Sequence, residues 1–291
     1  MNKKTPLLLL GIFACSTAAL MIRSSSMHPI LLASYRLLFA SFCLSPFFFK
    51  KLKEHRDNNL WPHLRASLLP GILLGAHFSL WIMAVKMTTI VNATLIVNLV
   101  PVAMPFFMFA LIRERITAYE LIGTLLALAG LYLLVAGDLS LNRQHFEGDV
   151  VCLIAMVLLT AYLALGRKNR KIVSIWLYIV PLYFVGGLFC FIIALFFTNP
   201  IQAYSSVDIA VVAGIVLIPT IIGHSILNHC MKYMRGQIVS IFNLSQFIFA
   251  GIMGYFFLHE IPPKTFYLAS VIIVAGAVIA IRGKPARKPE Q

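Results

Sequence analysis

Charge is what this 291-residue sequence has least of: Asp, Glu, Lys and Arg together make up 12% of it, about half the share of an ordinary soluble domain. Acid is the scarcer sign, with 10 Asp and Glu against 24 Lys and Arg. So little charge cannot cover a globular surface in water, and the 60% hydrophobic content exceeds the roughly 45–50% of soluble domains. Long polar loops are missing as well, which leaves no room for a soluble domain. Five cysteines (Cys15, Cys43, Cys152, Cys190, Cys230) make no disulfide framework. Their number is odd, and each falls inside an apolar stretch or at its end, where a thiol serves as small apolar packing. The residues predict an all-α polytopic membrane protein.

Apolar stretches long enough to cross a hydrocarbon layer of about 30 Å recur ten times. Their cores are residues 6–22, 28–49, 67–85, 90–112 and 118–136, then 148–165, 174–197, 209–229, 237–258 and 265–281. The first stretch, preceded by Lys3 and Lys4, reads as a signal anchor because nine more follow it. Alternate connections collect 19 of the 24 Lys and Arg, whereas the others hold Arg23, Lys86, Arg143 and Lys264. Basic loops resist translocation, so both termini are expected in the cytoplasm. The bases are spread along many short edges as orientation requires, which excludes a nucleic-acid partner as the reason for the net charge of +14. Short loops and the lack of a transit peptide predict a bacterial inner (plasma) membrane.

The chain carries an internal repeat. Sliding it by 146 residues superposes Lys86 on Lys232, Thr94 on Ser240, Glu114 on Glu260, and Ala129-Gly130 on Ala275-Gly276. Each half supplies five stretches, residues 1–137 and 138–291, and five is odd, so the halves must cross in opposite directions. Inverted repeats of this kind mark secondary transporters, whose substrate site lies between the halves.

The run Leu99-Val100-Pro101 through Arg113-Glu114-Arg115-Ile116-Thr117, continuing to Gly123 and Ala129-Gly130, resembles the EamA-type pattern of the drug/metabolite transporter superfamily. The second half repeats it more loosely from Phe256 to Pro262 and ends in Ala275-Gly276, with Phe247 where the first half has Pro101. The resemblance spans essentially the whole chain. It implies a carrier of amino acids, nucleotide derivatives or other metabolites. The glutamates have a local explanation: Glu114 lies between Arg113 and Arg115, and Thr117-Ala118-Tyr119-Glu120 has capping-box spacing.

Polar residues inside the stretches are the candidate site. Arg36 lies eight residues beyond His28, too deep to snorkel easily, and a guanidinium there costs about 2.5–3.5 kcal/mol on insertion scales. Ala33, Arg36, Ala40 and Cys43 share a face of small residues, while Leu31, Leu38 and Phe42 point elsewhere, so Arg36 is expected to look inward. It either braces neighbouring helices or contacts an anionic group of substrate. His77 and Trp81 share a face in the third stretch, beside a Gly71/Gly75 pair that permits close helix approach. Thr94 and Asn98, Trp176 and Tyr183, His224 and Asn228, and Asn243 and Gln246 add further polar stripes. These residues are expected to line one polar cavity.

Every carboxylate lies in a loop or near the end of a stretch, so proton-for-drug exchange on a buried acid has no candidate. Histidine is left as the intramembrane group suited to carrying a proton. His224 and His229, five apart, do not make the i, i+4 pair of a zinc helix, and no metal or other cofactor is called for. His-Glu-x-x-His, Gly-x-Ser-x-Gly and a glycine-rich phosphate loop are all missing, which weighs against an intramembrane enzyme. A membrane scaffold would need neither the repeat nor the stripes. The expected protein is a ten-helix carrier in the lipid bilayer, moving an amino acid or related small-molecule substrate, or else a nucleotide-derived or other anionic one. Ten helices can enclose a pathway as a monomer, and a homodimer stays open.

Overall fold

The computed structural model describes residues 4–54, 61–88, 90–135, 146–169, 174–258 and 264–282, and those residues form helices and no strand. The first half runs α1 (Thr5–Ser16), α2 (Ala18–Arg23), α3 (Pro29–Glu54), α4 (Trp61–Met87), α5 (Ile90–Val97), α6 (Val100–Ile112) and α7 (Ala118–Val135). The second runs α8 (Phe146–Lys168), α9 (Trp176–Ala194), α10 (Ser206–Ile215), a π-helix (Val216–His224), α11 (Ser225–Tyr233), α12 (Gly236–Asn243), α13 (Gln246–Leu258) and α14 (Lys264–Arg282). Eight continuous stretches among the described residues are long and apolar enough to cross a membrane, and two shorter apolar ones are Ala118–Leu133 and Gly236–Phe249.

The halves are related residue by residue. Ser34 of α3 donates its hydroxyl to Gly187 O of α9 (3.0 Å), and Ser41 of α3 donates to Val180 O (3.0 Å). Adding 146 to 34 gives 180, and adding it to 41 gives 187, so each residue pair is the other's image, with the serine of α3 donating in both. A Cβ added to Gly123 of α7 would lie 2.5 Å from Gly276 O of α14, and one added to Gly130 would lie 2.9 Å from Ala269 O. These approaches also exchange under the same offset. In both pairs one number rises as the other falls, so α3 and α9 run antiparallel, as do α7 and α14. Corresponding helices of the two halves therefore point in opposite directions, as an inverted repeat requires.

Small residues make these approaches possible. A Cβ on Gly71 or Gly75 of α4 would fall 2.7 Å from Leu182 O or 2.6 Å from Gly186 O of α9, which is the close neighbour that the glycine pair calls for. The interruptions of the helices repeat too. α5 ends before Asn98-Leu99, where Pro101 cannot donate a backbone bond, and α12 ends at Asn243, before Leu244-Ser245. The offset of 146 carries the first break onto the second. The second half thus breaks at the equivalent place with Phe247 in the proline position, through i→i+3 turns at Leu244 N–Ile241 O (3.1 Å) and Ser245 N–Phe242 O (2.9 Å).

Three local expectations need correction. Glu114 does not pair with Arg113 or Arg115. Arg113 adopts φ 55° at the end of α6 and closes it with Arg113 N–Phe109 O and Glu114 N–Met108 O bonds. Glu114 is then within 3.2 Å of Arg167 and 3.9 Å of Arg235. The capping box does form, with Thr117 N donating to Glu120 Oε2 (2.8 Å) and Glu120 N to Thr117 Oγ1 (3.2 Å), and Glu120 also pairs with Arg235. Leu31 is buried and Cys43 exposed, because the straight stripe drawn from Ala33 to Cys43 ignores where α9 and the π-helix leave α3 uncovered.

Comparing Gly123→Ala with Gly214→Ala isolates the packing term, since both gain the same helix propensity. A Cβ at Gly214 meets only the flexible Met21 side chain, at 3.1 Å. Gly123→Ala is expected to be less stable by about 1–3 kcal/mol, read as a lower thermal unfolding midpoint of detergent-purified protein. Equal midpoints would contradict the α7–α14 contact.

Candidate functional site

The site begins with a proline. Pro219 cannot donate a backbone hydrogen bond to Ile215 O, its i−4 carbonyl, and the chain widens here into the π-helix Val216–His224. The hydroxyl of Thr220 donates to Ile215 O in its place (2.6 Å). Its direction is then set, and its oxygen accepts from Nε of Arg36 across the bundle (2.6 Å). Tyr183 reinforces the corner, its hydroxyl lying 3.3 Å from Thr220 O, to which it donates, and 3.2 Å from Ser225 Oγ. Arg36 is 1% exposed, and its guanidinium lies 3.7 Å from the centroid of the Phe78 ring. A cation over an aromatic face is attracted by about 2 kcal/mol or more when desolvated, which offsets part of the cost of burial.

Arg36, Phe78 and His224 meet at a cavity of about 50 Å³, also lined by His77, Trp81, Asn98, Asn243 and Gln246. The wall straddles the relation between the halves. Phe78 and His224 are equivalent positions under the 146 offset, and their rings touch edge to face at 4.9 Å. Trp81 and Leu227 are a second equivalent pair in the wall, and Val97 and Asn243 a third. The helix breaks bring in the amides: Gln246 Nε2 donates to Asn243 Oδ1 (2.7 Å), and Asn243 Nδ2 is 3.5 Å from Asn98 Oδ1.

His77 contacts Ala155 O through Nδ1 (2.8 Å). A carbonyl only accepts, so Nδ1 carries the proton and Nε2 is the acceptor of the neutral ring. Its ring stacks on Trp81 at 6.4 Å. Three buried atoms of the wall residues, Arg36 Nη1, Trp81 Nε1 and His224 Nδ1, have no hydrogen-bond partner among the described residues. Among the described residues, no Asp or Glu lines the cavity.

The structure therefore brings together seven of the residues expected to share one cavity: Arg36, His77, Trp81, Asn98, His224, Asn243 and Gln246. Tyr183 and Asn228 stand behind the wall. Asn228 is buried and donates to His224 O (2.8 Å) and to the Tyr162 hydroxyl. Trp176 belongs elsewhere: it stacks on Phe47 at 5.1 Å and lines a different pocket at the end of the bundle. Seven-residue spacing puts Trp176 on the same face as Tyr183, but almost two helical turns separate them along the axis. The side chain of Thr94 lies outside the described residues. Phe78 and Thr220 were missed. Thr220 had a signal, since a Thr after a mid-span Pro is placed to satisfy the freed carbonyl, whereas no local pattern links Phe78 to an arginine forty-two positions earlier.

Residues 5–136 and 146–282 each match the EamA-like transporter family. An "uncharacterized transporter" of Archaeoglobus fulgidus is 25% identical over 287 residues, covering 96% of this chain and 98% of the relative. A solved crystal structure resembles the fold with a TM-score of 0.78 at 19% identity, covering 96% of each chain. With the family matched in both halves and over most of its length, the chain belongs to the EamA-like transporter family.

Proposed function

We propose that this protein is a secondary transporter for a small polar metabolite, foremost an amino acid or related compound, moved by export or exchange through alternating access to the cavity at Arg36. One observation carries the reading: three buried polar atoms without partners, on Arg36, Trp81 and His224, belong to residues that line a single cavity between the halves. A buried donor left unmade costs about 1–3 kcal/mol, so a solute that completes these bonds is favoured there. A substrate carboxylate suits the guanidinium, and the amide oxygens of Asn98 and Gln246 suit an ammonium. Among the described lining residues Arg36 is the one Lys or Arg, with no Asp or Glu beside it, which also favours the alternative cargo, a nucleotide-derived or other anionic metabolite.

The cavity of about 50 Å³ admits a few water molecules at most, whereas ligand pockets run to about 300–1,000 Å³. Binding therefore requires the halves to part. In this reading the two shorter apolar segments also cross, which gives ten crossings as two inverted fives. Both termini face the cytoplasm, the membrane is a bacterial plasma membrane, and one chain suffices.

Purified protein in liposomes, loaded with candidate amino acids, nucleotides and organic acids, tests the proposal directly. Solute flux is expected; turnover of added lipid or peptide without flux would make the protein an enzyme, and neither would make it a scaffold. A thermal-shift screen should pick out the cargo first, because a ligand of the folded form raises the unfolding midpoint. His77→Ala and Trp81→Ala are each expected to lower flux about tenfold or more, as truncation of a buried contact residue does, with folded protein retained. Wild-type flux in both would remove them from the pathway. Thr220→Val deprives Ile215 O and Arg36 Nε of their shared partner, so a loss of about 1–3 kcal/mol per group is expected, and Thr220→Ser should restore the unfolding midpoint. A stable Thr220→Val protein would refute the bridge.

A further inference from the structure

At the other end of α9 from Gly187, a second pocket of about 390 Å³ opens between α3, α9 and α11. We propose that it binds the phosphate headgroup of an anionic phospholipid. Lys51, Lys232, His229, Tyr233 and Trp176 line it, with Glu54 as its one carboxylate among the described residues. Lys51 holds Glu54 at 2.5 Å, which leaves that pair neutral. Lys4 reaches in from α1's N-terminal side, its ammonium 3.0 Å from His229 Nε2 and 4.9 Å from the Tyr233 ring centroid. An ammonium can only donate, so His229 accepts and is neutral. Lys232 lies over the same ring at 5.7 Å. Among the described residues, two lining ammoniums and one carboxylate thus face a space large enough for a ligand, with Lys4 beside them against His229, and the Tyr233 ring helps to hold Lys4 and Lys232 in place.

A lipid fits this site better than a soluble anion. The pocket lies at the basic end of the bundle, where α3 ends and α9 begins. Trp176 stacks on Phe47, which is about half exposed on the outer face of α3, and aromatic rings at this level are the mark of the headgroup layer. Basic pockets between membrane helices, close to that layer, meet a phosphodiester before any solute does. The site shares no lining residue with the Arg36 cavity, so its occupancy and solute flux are separate measurements.

Native mass spectrometry of the full chain, titrated with phosphatidylglycerol or phosphatidylcholine, counts bound lipid directly. Wild type should retain phosphatidylglycerol in preference to phosphatidylcholine. Lys51→Gln/Lys232→Gln should weaken phosphatidylglycerol retention about thirtyfold, roughly fivefold for each lysine near the headgroup layer. Arg23→Gln/Lys264→Gln removes the same charge from two exposed positions and should leave retention within about twofold. Equal loss in both double variants would overturn the proposal in favour of diffuse charge, and so would equal retention of the two lipids. If the double variant is poorly folded, Lys232→Gln alone keeps the comparison. In a parallel thermal-shift titration, stabilisation by millimolar inorganic phosphate combined with indifference to lipid type would assign the pocket to a soluble phosphate and overturn the lipid source.

Discussion

A guanidinium buried among apolar helices constrains everything around it. Arg36 does not shed its charge and lies away from bulk water, so the bundle has to supply a hydroxyl and an aromatic face at its depth. Both come from elsewhere in the chain. Pro219 frees the carbonyl of Ile215, the Thr220 hydroxyl turns to it, and the oxygen so oriented meets Arg36 Nε. Phe78 covers the flat face of the cation and in turn abuts His224. Helix α3 is thereby tied to the second half at the same level where Phe78 of α4 and its repeat counterpart His224 touch. A π-helix is an uncommon element that recurs at functional sites. Here its cause is in plain view: a proline inside a span, followed by a residue able to satisfy the bond that the proline cannot make.

The symmetry explains why the polar cavity lies where it does. Two halves related by a two-fold must meet on themselves at the axis, and there each residue faces the image of a near neighbour. Phe78 faces its own counterpart, His224. Two further pairs of counterpart helices, α3 with α9 and α7 with α14, meet along the same axis through serine and glycine contacts that come in reciprocal pairs, Ser34–Gly187 with Ser41–Val180 and Gly123–Gly276 with Gly130–Ala269. Duplicated packing of this kind makes a stiff frame. At the cavity the equivalent positions differ in chemistry: Phe78 corresponds to His224, Trp81 to Leu227 and Val97 to Asn243.

Much of this is legible in the order of the residues. The scarcity of charge identifies the solvent, and the repeat offset read from a handful of positions, such as Lys86 with Lys232, is the same offset that pairs the serine and glycine contacts. Polar residues in an apolar stretch have few places to go, which is why Arg36, His77, His224 and the amides could be placed together. Trp176 misled because helical periodicity gives direction around an axis and says nothing of depth along it. Glu114 misled because a neighbour in sequence was preferred to Arg167 and Arg235, which tertiary folding brings within reach. Cys43 misled because burial depends on which helices pack against α3, and no single stretch encodes that.

The proposed site and the helix breaks share residues. Asn98 stands at the break between α5 and α6, Asn243 and Gln246 flank the equivalent break between α12 and α13, and His224 closes the π-helix. Interrupted helices are the places where a bundle changes angle at least cost, because their backbone bonds are already partly surrendered. Any rotation of one half against the other therefore moves Asn243, Gln246 and His224 relative to Arg36 and Asn98. A solute that bonds to both sides would resist that motion in one arrangement and favour it in another, which is what coupling binding to alternation requires, since a ligand shifts an equilibrium only by its different affinity for the two states. Polar groups placed midway along unbroken helices would turn as rigid bodies and leave the cavity's bonding pattern nearly unchanged.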